Sequence, residues 1–388
     1  MKRKNAQVFL VIPARKAVGL TSVALGLVRT LQRLGVEAGF VKPIAEETPD
    51  RSGYFARQIF QMQVPEALLL QATAERIAAN QTSELLEEIV GLCMKAGEAA
   101  DVLVIEGLHA DESHSFISQI NVDIARSLNA EVIVVADASL DSAFADLRFA
   151  IGQFLNSGCK VAGVVFNKAA EEFDGADAQR RLGKTRLWGV VHDNPILRAP
   201  RTLDVAQHLG AEVVAPGEIG VRRVIQTVIA ARSVAQFIPG LRPGTLVITS
   251  GDRDDIILAA ALAASRGIQL AGLLLAHGSR IAPQVMELAA PAFNTGLPVL
   301  RTADDSFSIA RQIGRISSAV PSDDMARMND VLDNVAEHLD TTAISASFCL
   351  PEHTKLSPPA FRYQLIQKAR AAKKRIVLPE GEEPRTVR

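Results

Sequence analysis

Four continuous apolar runs govern the first half of this chain: VFLVI (8–12), DVLVIEG (101–107), AEVIVVAD (130–137) and VAGVVFN (161–167). Each is apolar at consecutive rather than alternate positions, the pattern of a strand covered on both faces. Stretches with helical spacing lie between them, TSVALGLVRTLQRLG (21–35), SELLEEIVGLCMKAGEAA (83–100) and FADLRFAIGQFLNSG (144–158). Strand and helix in this alternation predict a parallel sheet with right-handed crossovers, an α/β domain that RLWGVVHDNP (186–195) closes.

A chain of 388 residues exceeds the roughly 250–300 that one core sustains, so further domains are expected. APR (199–201) marks a boundary, after which TLDVAQHLGAE (202–212) and residues 221–237 read as helices. The turn PGLRPG (239–244) opens a second α/β series, with strands TLVITSG (245–251), LAGLLLAHG (270–278) and LPVLRTA (297–303). DDIILAAALAASRG (254–267) and APQVMELAAPAF (282–293) read as its helices. Residues 305–348 read as helical and more polar, and LPEHTKLSPP (350–359) as a linker. The remaining stretch (360–388) reads as a basic amphipathic helix, a strand and a glycine turn. About 30 residues are too few to bury a core of their own, which predicts a truncated third α/β unit.

Composition narrows the function classes. Net charge is −1 without a long block of like charge, and aromatics are 5%, so no nucleic-acid partner is expected. No stretch approaches the roughly 18 apolar residues of a membrane span. The N-terminal MKRKNAQVFLVIPA has basic residues before an apolar run, but Val8–Ile12 is shorter than the roughly 7–15 residues a signal peptide needs. A soluble, cytoplasmic protein is expected. Cys93, Cys159 and Cys349 lie far apart in apolar surroundings and read as buried reduced thiols, with no metal-ligand spacing.

The turn after the first strand, ARKAVGLTS (14–22), has the layout of a phosphate-binding loop, G-x-x-x-x-G-K-[ST] between a strand and a helix. Such a loop wraps phosphates in backbone N–H groups, and its Lys and hydroxyl serve the β/γ oxygens and Mg²⁺. Here Gly19 and Thr21 (then Ser22) survive, Ala14 stands for the first glycine, and Leu20 stands for the Lys. Arg15 and Lys16 are the charges left in the loop, and the helix N-terminus still favours an anion. Both an anion site and a plain scaffold remain open on these residues.

Three further positions sit at strand ends where such a fold binds ligands. Glu106 ends DVLVIEG, Lys42 follows the strand of GFVKPIAEE, and Asn167-Lys168 follows VAGVVF. The Asn-Lys pair is similar to a base-reading motif, though the Asp expected two residues on is Ala170. In the second series, TSGDRDDI (249–256) crowds charge into one turn. There Asp252 and Arg253 are candidates for a regulatory contact, while Asp252 or Asp254 would equally cap the next helix. No nucleophile arrangement has a local signature, so no catalytic residue and no metal site are assigned.

With these residues in place, the chain resembles the long-form bacterial phosphate acetyltransferase family over nearly its whole length. The blocks that carry this are IPARKAVGLTSVALGLVR, FVKPIAEE, VLVIEGL, GVVFNK, ITSGDRDDIILAAALAA, LSPPAFRYQLIQKAR and KKRIVLPEGEEPRTVR. The resemblance implies a P-loop-NTPase-like, dethiobiotin-synthetase-like domain (1–200), a smaller α/β DRTGG-like domain (201–312) and a helical connection and linker (313–355). Residues 356–388 would then be the N-terminal stub of the catalytic domain, leaving the acetyl-CoA and phosphate site beyond residue 388. It further implies CoA and acetyl-CoA as substrates of the full enzyme, no covalent cofactor, and assembly as a homo-hexamer. Control by pyruvate, phosphoenolpyruvate or NADH is implied likewise. The missing loop Lys puts nucleotide binding in doubt. The DRTGG signature reads Asp252-Arg253-Asp254-Asp255, so the roles of its two glycines do not carry over. An ATP-dependent ligase of the dethiobiotin synthetase type and a non-catalytic metabolite-sensing scaffold are the alternatives.

Overall fold

Strand β1 (Gln7–Pro13) runs inside a six-stranded sheet, and Phe9 to Ile12 are buried on both of its faces. The structure, a computed structural model, describes residues 6–110 and 113–347; the expected linker at 350–359, the stretch 360–388 and Cys349 lie outside the described residues. After β1 come α1 (Leu20–Arg33), β2 (Ala38–Val41), β3 (Ile44–Ala45), α2 (Arg51–Phe60), β4 (Leu68–Leu69), α3 (Leu70–Ala78) and α4 (Thr82–Ala96). The domain continues through β5 (Val102–Glu106), α5 (Phe116–Ser127), β6 (Glu131–Asp137) and α6 (Ala143–Asn156). It ends with β7 (Lys160–Ala169), α7 (Gly175–Leu182), β8 (Leu187–His192) and α8 (Pro195–Arg198).

The strand order is β2-β5-β1-β6-β7-β8, every neighbouring pair parallel, and β3 pairs with β4 in a separate two-stranded ribbon. Register places Gln7 beside Val102 and Phe9 beside Glu131. The chain leaves β1 for β2 on one side and later builds β6 on the other. The carboxyl ends of β1 and its neighbours therefore border a crevice at a switch point, where open α/β sheets bind ligands.

Helix α9 (Thr202–Leu209), β9 (Glu212–Ala215), β10 (Gln226–Ile229), α10 (Val234–Phe237) and a 3₁₀ turn at Ile238–Gly240 start the second domain. Then follow β11 (Thr245–Ser250), α11 (Asp254–Ser265), β12 (Gly272–Ala276), α12 (Pro283–Phe293), β13 (Val299–Arg301) and α13 (Ser306–Ile313). Its sheet runs β10-β11-β12-β13-β9, parallel except for β9.

Two helical expectations fail here. Residues 221–237 contain the edge strand β10, because β-branched Thr227, Val228 and Ile229 pair in parallel with Leu246 to Ile248. The helix expected over 202–212 stops at Leu209, where Gly210 takes φ +57° and turns the chain into β9.

Past the second domain, α14 (Met325–His338) returns to the first and lies along α1. Arg29 Nη2 donates to Asn329 Oδ1 at 2.7 Å, Arg33 Nη2 donates to Asp333 Oδ1 at 2.7 Å, and Leu339 bridges Gly189. Part of the stretch expected as a connection thus packs as a helix of the first domain. A second compact unit begins at Asp340, whose carboxylate caps α15 (Thr341–Ser345) by accepting from the Thr342 and Ala343 amides. Among the described residues, no helix is long and apolar enough to cross a membrane.

Candidate functional site

The phosphate-loop layout folds as one. β1 delivers the chain to Ala14, whose N–H bonds Val135 O at 2.8 Å, and α1 starts at Leu20. Gly19 takes φ +81°, and a Cβ there would fall 2.4 Å from Asn167 Nδ2, so the position requires glycine on two counts. Ala17 holds φ +62° without being glycine, a strained conformation that needs support from its surroundings. That support comes from the Asn-Lys pair. Asn167 Nδ2 donates to Val18 O at 2.8 Å; Lys168 Nζ donates to Ala17 O at 2.6 Å and to Asp137 Oδ2 at 2.7 Å. The pair's polar groups therefore brace the loop. Burial would raise the Asp137 carboxyl, but hydrogen bonds from Lys168 and Ser139 outweigh it and hold the group below the usual aspartate range.

Beneath the loop lies a carboxylate cluster. Glu106 is 2% exposed, and its Oε1 accepts from Thr21 Oγ1 at 2.8 Å and from Ser52 Oγ at 3.1 Å. Lys42 Nζ sits 3.4 Å from that same oxygen and 3.3 Å from Asp50 Oδ1. Glu106 Oε2 is buried with no hydrogen-bond partner. Burial pushes the Glu106 carboxyl above the usual range, and the Asp50 charge adds to this, against Lys42 and the two hydroxyls. Burial works to lower the Lys42 ammonium, but the charges of Glu106 and Asp50 win and leave it raised. P-loop folds imply a divalent ion near these groups. In this chain the Lys42 ammonium already bridges the two carboxylates, so the residues do not fit a resident metal.

These groups line a cavity of roughly 430 Å³ at the carboxyl edge of the sheet. Arg15, Lys16, Gly19, Thr21, Ser22, Lys42, Glu106 and Asn167 all face it. Arg15 Nη1 reaches Ser142 Oγ at 3.2 Å and stands 3.8 Å from Asp146. Arg51 pairs with Glu47 at 2.8 Å and Arg198 with Asp193 at 3.0 Å. Sequence reasoning missed the remaining wall, made of Arg198, residues 317–320 and α14 from Arg327 to Val335. No local signal could have placed residues 317–335, because they reach the loop only through the return of α14. Asp50 and Ser52 carried a weak signal, a cap residue opening α2, where Asp50 accepts from the Gly53 amide at 2.6 Å.

Asp252 and Arg253 stand apart from this cavity, in the turn after β11. Asp252 is exposed. Arg253 bonds Asp255 at 2.9 Å and the carbonyls of Ala230 and Arg232 at 3.3 and 3.2 Å. The expected aspartate cap is absent: Arg253 itself is the N-cap of α11, with no side-chain cap bond. A second polar centre joins the two domains instead. Arg201, 5% exposed, pairs with Asp204 at 2.7 Å and Asp323 at 2.8 Å, while Asp324 accepts from Arg223 Nη2 at 2.9 Å. Cys93 is fully buried and its thiol is pushed up to about 12, so it is inert.

A degenerate phosphate loop at the switch point of a parallel sheet defines a P-loop-like α/β protein. Residues 7–201 match the family model described as AAA domain, and the chain belongs to that family; residues 204–316 match the DRTGG domain. The whole chain is similar to bacterial phosphate acetyltransferases. The phosphate acetyltransferase of Pseudomonas putida is 41% identical over 397 residues, covering 97% of this chain and 57% of that relative. That of Deinococcus radiodurans is 40% identical over 396 residues, covering 97% and 56%. The chain thus spans little more than half the length of the curated relatives it matches. Among solved structures, the MinD cell division protein of Aquifex aeolicus is 15% identical, with a TM-score of 0.34 over 50% of this chain and 84% of that one.

Proposed function

We propose that this chain is the regulatory and assembly portion of a phosphate acetyltransferase, with transfer of acetyl between acetyl-CoA and phosphate performed outside the described residues. The observation that carries this reading is the loop cavity, which keeps an anion-receptive end but lacks the groups for nucleotide turnover. Leu20 offers no charge where a phosphate loop places its Lys, and the Thr21 hydroxyl is given to Glu106. Such a cavity binds an anionic metabolite and leaves it unchanged. Pyruvate, phosphoenolpyruvate and NADH are the effectors to try, in a cytoplasmic enzyme assembled as a homo-hexamer. A ligase of the dethiobiotin synthetase type is disfavoured by Leu20 and by the bridging position of Lys42.

The test is a ligand-stabilisation screen of this chain with those effectors and with Mg-ATP, alongside an assay of acetyl phosphate formation. A ligand that binds only the folded state at a hundredfold excess over Kd adds about 2.7 kcal/mol. The expected outcome is stabilisation by an anionic metabolite that Thr21→Ala or Lys16→Gln weakens, with no acetyl transfer. Robust acetyl phosphate formation by the chain alone, or turnover of Mg-ATP, overturns the reading.

A further inference from the structure

Seven cationic side chains line the loop cavity, and five of them have a carboxylate within 4.0 Å, in the pairs described above. Lys16 and Arg327 are the two that do not. Lys16 is exposed at the loop, and neither a hydrogen bond nor an ion pair engages it among the described residues. Arg327 is the more telling of the two, being only 2% exposed. Its Nε donates to Leu197 O at 2.5 Å, and its Nη2 donates to Arg198 O at 3.0 Å and Ser318 O at 2.9 Å. All three acceptors are neutral carbonyls, and Nη1 has no partner among the described residues. Burial, and then the nearby Arg223 charge, push its guanidinium below the usual arginine range, and the charges of Asp324 and Asp204 offset this only in part. A buried cation with no carboxylate in direct contact is costly, and a planar guanidinium with a free nitrogen is suited to carboxylate or phosphate.

From these two cations, neither with a carboxylate in contact, we infer that the cavity takes a small organic molecule with two separate anionic groups. One group sits at the α1 N-terminus with Lys16, and the other on Arg327. The inference deepens the effector reading and rests on it. It also makes the stretch from Ser317 to Val335 part of the binding site, although that stretch follows the second domain in sequence. Because Asp324 caps α14 three residues before Arg327, ligand held by Arg327 tightens the helix start whose cap pairs with Arg201 and Arg223 between the domains.

The test uses calorimetry on the chain with a hexose 1,6-bisphosphate and the matching hexose 6-phosphate as probes. The variants are Lys16→Gln, Arg327→Gln and Arg327→Lys. Wild type is expected to bind the bisphosphate about tenfold more tightly or better than the monophosphate, and Arg327→Gln to abolish that advantage. Arg327→Lys, which keeps the charge but not the fork, is expected to restore part of it. Because Arg327 also holds three carbonyls, hydrogen exchange on the unmodified chain serves as the second measurement. The bisphosphate is expected to protect residues 317–335 together with 14–22. Binding that Lys16→Gln weakens but both Arg327 variants leave intact, or protection confined to 14–22, overturns this inference and spares the effector reading. Failure of both probes and of every screened metabolite to bind overturns both.

Discussion

Gly26 of α1 and Val335 of α14 meet so closely that a Cβ on Gly26 would lie 2.3 Å from Val335 Cγ1. This contact seats a helix from beyond the second domain on the helix that begins at the phosphate loop. Gly26→Ala sets two effects against each other. Alanine is favoured over glycine inside a helix by about 1 kcal/mol. Forcing a methyl into a packed interface costs about 1–3 kcal/mol. The clash lies against a β-branched side chain with little freedom, so the second effect wins. Urea denaturation is expected to show a net loss of about 1–2 kcal/mol, most of it recovered in the Gly26→Ala/Val335→Ala double variant. A single variant as stable as wild type would mean that α14 is not seated this way.

Asp324 carries an acid-sensitive part of the link between the domains. Burial pushes its carboxyl up, but the hydrogen bond and charge of Arg223, with further help from Arg201, hold it below the usual range. A lowered folded-state pKa contributes stability that is present above the ordinary aspartate value, about 3.9, and disappears as pH falls through the folded value. Asp324→Asn should flatten the acid side of the stability profile below about pH 4. At neutral pH it should cost about 3 kcal/mol, because Arg223 and Arg201 are left facing one another. Denaturant midpoints measured between pH 3 and pH 7 check both limbs.

Each part of the fold is legible in the sequence to the extent that its signal lies in the local residues. The buried parallel strands were legible because runs such as Leu103 to Ile105 announce two-sided burial by themselves. Gly19, Thr21, Lys42 and Glu106 were legible because the phosphate-loop layout places its parts at strand ends. Strand β10 was not, since Gln226 to Ile229 look helical until β11 offers a partner. Arg327 was invisible for a different reason: its acceptors are backbone carbonyls 9 to 130 residues away, and carbonyls leave no trace in side-chain identity.

Thr21 and Glu106 give a second pH-dependent prediction. The Thr21 hydroxyl stabilises the charged form of a buried carboxylate that already has one unpartnered oxygen. Thr21→Val should therefore cost about 1–3 kcal/mol at pH 7.5. It should also raise the Glu106 pKa further, since the charged form loses a donor. The gap between variant and wild type is expected to narrow as pH falls and Glu106 takes up a proton. Unfolding curves collected stepwise from neutral into acid pH measure the gap, and one that widens in acid contradicts the assignment.

Trp188 is the one tryptophan of the sequence, and it is fully buried in the first domain. It stands edge-on to Phe9, with ring centroids 5.3 Å apart. Its indole is seated over Gly163 of β7, where a Cβ would fall 2.2 Å from Cδ1. Glycine in a strand interior is unfavourable by itself, and here the close approach of the ring accounts for it. Neither the strand backbone nor the indole can yield cheaply, so Gly163→Ala should destabilise the first domain by about 2–3 kcal/mol. Tryptophan emission should be blue-shifted in wild type and should report the first sheet alone during urea unfolding. In Gly163→Ala the emission should move to the red and its midpoint should fall. An unchanged spectrum and midpoint would place the indole elsewhere than against β7.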